Sequence, residues 1–240
     1  PFYGSQLMPA VMVRELIPLI DWAYFYWPWR VNPESEEARQ LRADADRLLS
    51  EMADDPSYAM RVVQGFYPAE GLEDRIRVSL RHNDHEPDCP CCNMQIEIPT
   101  PRQQKAEGTC LALCDYVHHA IGAFACTVSQ AFVDRLERLK SQQGGSDYDV
   151  LLLQTLGDRL AEAASEFLGR QLQQEHNWGG IRPAVGYPSL PDQKSIFLLA
   201  KMIDFDSVGI TLTENGAMYP QASVSGLYIS YPRAEYFEVK

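Results

Sequence analysis

Three stretches of this 240-residue chain hold side chains able to do chemistry. The first is the loop Ile181-Arg182-Pro183-Ala184-Val185-Gly186-Tyr187-Pro188-Ser189-Leu190-Pro191. Proline sets backbone angles in advance and glycine permits close approach, so such a loop presents a ligand surface at low ordering cost. The same composition also suits a plain surface connector. Arg182, which follows a glycine pair, carries a guanidinium that on residue type alone suits a simple pairing with an acidic surface residue. The second stretch places Asp21 ahead of Trp22, Tyr24, Phe25, Tyr26, Trp27 and Trp29. Its carboxylate suits a cationic ligand group, a helix cap or a pairing with Arg30. The third stretch is His82-x-x-His85-x-x-x-Cys89-x-Cys91-Cys92, whose imidazoles and thiolates are close enough to bind zinc. It lacks paired Cys-x-x-Cys units, so free thiols are the simpler reading, with Cys89, Cys91 and Cys92 as the metal candidates. His118-His119 reads as a surface pair.

Other chemistry is absent from the sequence. There is no Gly-x-Gly-x-x-Gly loop, no Walker loop, no Gly-x-Ser-x-Gly elbow and no His-Glu-x-x-His. The formal net charge of −12 repels a phosphate backbone, which argues against nucleic acid and favours either plain solubility or a basic partner protein. No run approaches the roughly 20 apolar residues that cross a bilayer, so no membrane role is expected. Six cysteines crowd one third of the chain with no secretion signal in view, which fits reduced thiols in a cytoplasm. Residue 1 is Pro rather than Met, which points to a chain cut from a longer polypeptide or trimmed at its start.

The elements that must position these residues follow from periodicity. Met8 to Trp29 reads as a buried helix or turn. Asn32 and Pro33 cap a helix carrying Ala38, Leu41, Ala45, Leu48, Leu49 and Met52 on one face. Met60 to Tyr67 and Arg75 to Leu80 read as an antiparallel pair of strands. Residues 83–100, with three prolines and no sustained period, read as a Cys-rich loop or insertion. Thr109 to Val117 and Ile121 to Val128 read as strands, and Ser129 to Leu139 as a helix. Tyr148 to Gln174 is the longest helical signal, its core face formed by Leu153, Leu156, Leu160, Ala164 and Phe167. On that pattern Glu162 faces solvent. A short helix from Gln193 to Met202 precedes strands at Val208 to Leu212, Ser223 to Ile229 and Glu235 to Val239. Strands grouped rather than alternating with helices predict a single α+β domain over residues 1–240, with a mainly antiparallel twisted sheet flanked by helices.

The run Gly180-Ile181-Arg182-Pro183-Ala184-Val185-Gly186-Tyr187-Pro188 resembles the S-adenosylmethionine-binding loop of the activation domain of cobalamin-dependent methionine synthase. Leu212-Thr213-Glu214-Asn215 and the block from Met218 to Tyr228 resemble the segments that follow that loop, and Tyr236-Phe237 falls at its paired aromatics. Upstream, Ile20-Asp21-Trp22, Gly65 to Ala69, Ile121 to Ala125 and Asp158 to Ala163 are similar to earlier family segments. The resemblance spans about Leu19 to Val239.

It implies that Asp21 engages the cationic end of S-adenosylmethionine and Arg182 its carboxylate. Glu162, Ala184, Gly186, Tyr187, Tyr236 and Phe237 complete the implied cofactor-binding set, with no catalytic residue. It further implies reductive reactivation of cob(II)alamin, with S-adenosylmethionine as methyl donor and flavodoxin or another reductant as electron donor. No Asp-x-His-x-x-Gly motif is present, so cobalamin would come from a partner domain of methionine synthase, in cis or in trans. On this reading the chain is part of a methyltransferase that methylates homocysteine. Ser189-Leu190, Phe237, a shortened link after the long helix and the Cys89–Cys92 segment depart from the family's pattern. The alternative is a metal-binding or interaction module of the same fold that uses the Cys89–Cys92 segment and has lost S-adenosylmethionine.

Overall fold

The computed structural model describes residues 3–80, 94–141 and 146–239. Its centre is an antiparallel sheet in the order β4 (Met94–Pro99), β3 (Arg75–Leu80), β2 (Arg61–Gly71), β5 (Ala120–Thr127) and β8 (Ser223–Tyr228). The short β1 (Gly4–Leu7) joins β2 beside β3. Side chains alternate across this sheet. Val62, Phe66, Phe124, Cys126, Val224 and Tyr228 point into one core, shared with α1 (Val13–Leu16), α3 (Glu36–Met52) and α5 (Asp147–His176). Val63, Tyr67, Ala123, Ala125 and Leu227 point into a second core beneath α6 (Ser195–Met202). The predicted α+β class with a mainly antiparallel sheet and flanking helices is therefore the observed one.

Several boundaries differ from the sequence expectations. The helix expected to start at Asn32-Pro33 starts at Glu36, because the Ser35 hydroxyl accepts from Ala38 N at 3.1 Å while Asn32 Oδ1 closes a turn to Glu34 N at 3.0 Å. Residues 94–99, expected in a loop, form β4: Ile96 and Ile98 fill the core, and Glu97 on the other face bonds Arg75 and Arg77. The strand expected over Thr109 to Val117 is replaced by a 3₁₀ turn at Leu113–Tyr116. Asp115 accepts from Ala112 N at 2.9 Å and pairs with Arg102, which bends the chain there. Val208 to Leu212 yields only β6 (Thr211–Leu212), paired with β7 (Met218–Tyr219). Glu235 to Val239 is not a strand. Cys89, Cys91 and Cys92 lie outside the described residues.

The 30-residue α5 spans the first core and is covered along much of its length. It packs against α2 (Trp22–Tyr26), α4 (Gln130–Ser141), β5 and β8. Beyond β8 the chain from Ile181 to Val185 runs antiparallel along the open strand edge. Ile181 and Ile229 exchange bonds of 3.1 and 3.0 Å, Leu227 N donates to Pro183 O at 3.0 Å, and Val185 N donates to Ser225 O at 2.9 Å. This contact needs Gly226, where a Cβ would lie 2.4 Å from Pro183 O. Gly226→Ala should force the loop off β8 and destabilise the fold by about 1–3 kcal/mol, measured by urea unfolding.

On α5, burial pushes the Asp158 carboxyl up to about 6; Arg159 pulls it down and Glu162, one turn on, pushes it up. The folded chain thus holds this proton more tightly than the unfolded chain, whose carboxyl titrates near 3.9. The stability tied to this proton is full below about pH 4 and is lost as pH rises toward 6. Asp158→Asn should raise unfolding free energy at pH 7 by roughly 1–2 kcal/mol and leave it unchanged at about pH 4, as chemical denaturation at the two pH values would record.

Candidate functional site

A cavity of about 510 Å³ opens between α5, the 182–189 loop and the C-terminal segment. Six of the eight ligand residues expected from the sequence line it: Glu162, Arg182, Ala184, Tyr187, Tyr236 and Phe237. Its size falls within the range of small-molecule clefts. Phe124 on β5 and the buried Ser165 on α5 complete its inner wall.

The loop is built to hold its shape. Gly186 sits at φ +86°, a left-handed angle open to glycine, and its N–H donates to Leu190 O at 2.9 Å. That turn projects Tyr187, whose hydroxyl donates to the Glu162 carboxylate. Burial of the phenol, followed by the negative charge of Glu162, pushes Tyr187 well above the ordinary tyrosine range and keeps it a donor. Ser189 ties the loop to the chain's end: its hydroxyl donates to Phe237 O at 2.6 Å and accepts from Phe237 N at 3.2 Å. Val239 N adds a bond to Pro188 O at 3.0 Å, and Tyr236 OH accepts from Arg182 N at 2.8 Å. The expected strand at 235–239 is therefore replaced by an extended segment held by the loop.

Arg182 reaches across to α5. It pairs with Glu166, which also accepts from Arg170 Nε at 2.8 Å. Burial works against the Glu166 charge, but the two guanidiniums hold its carboxyl below the usual range. Arg182 passes so close to Gly169 that a Cβ there would lie 2.2 Å from Arg182 Nη1. Its Nε is buried and has no partner. Beneath it lie Cys126 and the buried Tyr228; burial pushes both well above their ordinary ranges, so they stay protonated.

Glu162 is half-buried against the cavity rather than solvated. Periodicity misplaced it because α5 is covered on more than one face, so no single apolar stripe marks its inner side. Asp21 and Gly186 do not line the cavity. Asp21 is exposed and caps α2, accepting from Ala23 N at 3.0 Å, the helix-cap reading of that residue. On α2, Tyr24 lies 5.7 Å from the Arg159 guanidinium, close to the Tyr187 side of the cleft. Two residues were missed. Glu166 stands one turn after Glu162, so helical spacing places it on the same face. Gly169 is an interior helix glycine, a signal of close approach.

Residues 12–240 match the family model described as vitamin B12 dependent methionine synthase, activation domain. Among solved structures, the fold is similar to the MetH reactivation domain bound to AdoHcy, with a TM-score of 0.83 and 26% sequence identity over 98% of this chain and 81% of that one. With a family match that takes in the loop, the long helix and the C-terminal aromatics alike, the chain belongs to the activation domain family of vitamin B12-dependent methionine synthase.

Proposed function

We propose that the chain binds S-adenosylmethionine in the α5 cleft and presents it for the reductive reactivation of cob(II)alamin held by a partner domain or protein. One observation carries this reading: a single cavity gathers a guanidinium, two carboxylates and four aromatic side chains. The ligand has a carboxylate, an ammonium, a sulfonium and an adenine, for which a guanidinium, carboxylates and aromatic faces are the complements. The unpartnered Arg182 Nε is the feature that fits best, because a buried guanidinium nitrogen left without an acceptor is costly. The structural relative bound to AdoHcy supports the same reading.

In this reading Arg182 takes the carboxylate from its place between Glu166 and Gly169. Glu162 offers negative charge to the cationic end, and Asp21 serves from the rim after giving up its cap bond to Ala23. Tyr187, Tyr236 and Phe237 enclose the ring and sulfonium, while Ala184 and Gly186 set the loop backbone. When bound, S-adenosylmethionine supplies an activated methyl group. The chain's own residues bind it, orient it and shed water around it, with no acid or base needed among them. Cobalamin comes from a cobalamin-binding domain, and an electron from flavodoxin or another reductant.

Calorimetric titration of the purified chain with S-adenosylmethionine tests the proposal. Saturable one-to-one binding is expected. Arg182→Ala should weaken it by about 10- to 100-fold, the worth of a hydrogen bond to a charged group. Gly169→Val, which pushes Arg182 aside, should do the same while the far-ultraviolet circular dichroism is unchanged. Absence of binding in the wild type would overturn the reading.

A further inference from the structure

A second cavity, of about 570 Å³, lies at the far end of α5, where β1, β2 and the residues before β5 converge. It shares no lining residue with the α5 cleft. Three of the chain's five histidines meet there, His118, His119 and His176. Among the described residues no Asp or Glu lines it, although the chain carries 33 acidic residues and a net charge of −12; the Glu175 carboxylate lies 3.9 Å from His176 Nε2. A pocket with three imidazole donors in its lining suits an anion. Among the described residues no group of three or more His, Cys, Asp or Glu is placed to hold a metal ion.

Phe66 and Trp178 form an aromatic wall, their rings 4.4 Å apart. Beside them Gln64 is only 7% exposed. Its Nε2 donates to the Met8 thioether at 3.2 Å, a weak acceptor, and its Oε1 has no partner. Exchanging the two amide atoms leaves the nitrogen unmatched instead, so the carboxamide is short of a partner in either orientation. Buried polar groups are nearly always paired, and one left open beside a cavity points to a ligand that completes it. Tyr3 and Gln6 also line it, from a segment that lies ahead of the matched family span of residues 12–240.

We propose that this cavity is a second binding site, for a planar heteroaromatic anion. The ring lies against Trp178, an amide-like ring edge pairs with Gln64, and the acidic group sits among the three histidines. This site is independent of S-adenosylmethionine.

The test uses the whole chain and three probes, orotate, nicotinate and uridine monophosphate, followed by ligand-observed NMR and Trp fluorescence. At least one probe should bind, tenfold or more weakly to Gln64→Leu and to the His118→Ala/His119→Ala double variant. Both variants should keep the wild-type circular dichroism and S-adenosylmethionine titration. Gln64→Leu should also melt no lower than the wild type, because losing one weak bond to a thioether is offset by removing a buried unpaired oxygen. Failure of all three probes to bind, binding unchanged in either variant, or a lowered melting temperature in Gln64→Leu would overturn the proposal.

Discussion

Strand β8 ends the sheet, and the backbone groups on its outer side need partners that no further strand supplies. The loop from Ile181 to Val185 provides them, and it lies close enough only because residue 226 is glycine. Docking that edge sets the path of everything that follows. Arg182 is carried toward α5, the turn at Gly186 turns Tyr187 toward Glu162, and Ser189 reaches the C-terminal segment. The cleft is therefore a consequence of edge protection: one set of backbone bonds closes the sheet and aims the polar side chains.

The second contributor is α5. A helix covered by α2, α4 and the sheet has little freedom to shift, so the acidic residues Glu162 and Glu166 are held at fixed distances from the loop. Glu166, shared between Arg170 and Arg182, holds the Arg182 guanidinium at its end while the buried Nε is left without a partner. Buried charge of this kind is costly on its own, and its presence in a cleft fits a binding role better than a stabilising one.

Much of this was legible in the sequence, and for identifiable reasons. The 3.6-residue period of α3 and α5, the alternation of β2, β3, β5 and β8, and the proline-glycine loop are local signals. Resemblance added residues such as Tyr236, whose role depends on chain segments 54 residues apart. What escaped was tertiary. Strand β4 was hidden by its prolines and polar flanks, Ser35 took the cap from Asn32, and Glu162 was assigned to solvent because periodicity sees one buried face. Asp21 was legible as both cap and ligand residue, and the fold displays the cap. The second cavity left no mark in the sequence beyond the His118-His119 pair.

The central claim, that Arg182 is held ready for a ligand carboxylate, is tested most directly by comparing S-adenosylmethionine with its decarboxylated form on the wild type and on Arg182→Ala. The account predicts binding about 10- to 100-fold weaker for the decarboxylated molecule on the wild type, and equal affinities on the variant. Equal affinities on the wild type, or a difference that persists in the variant, would contradict it.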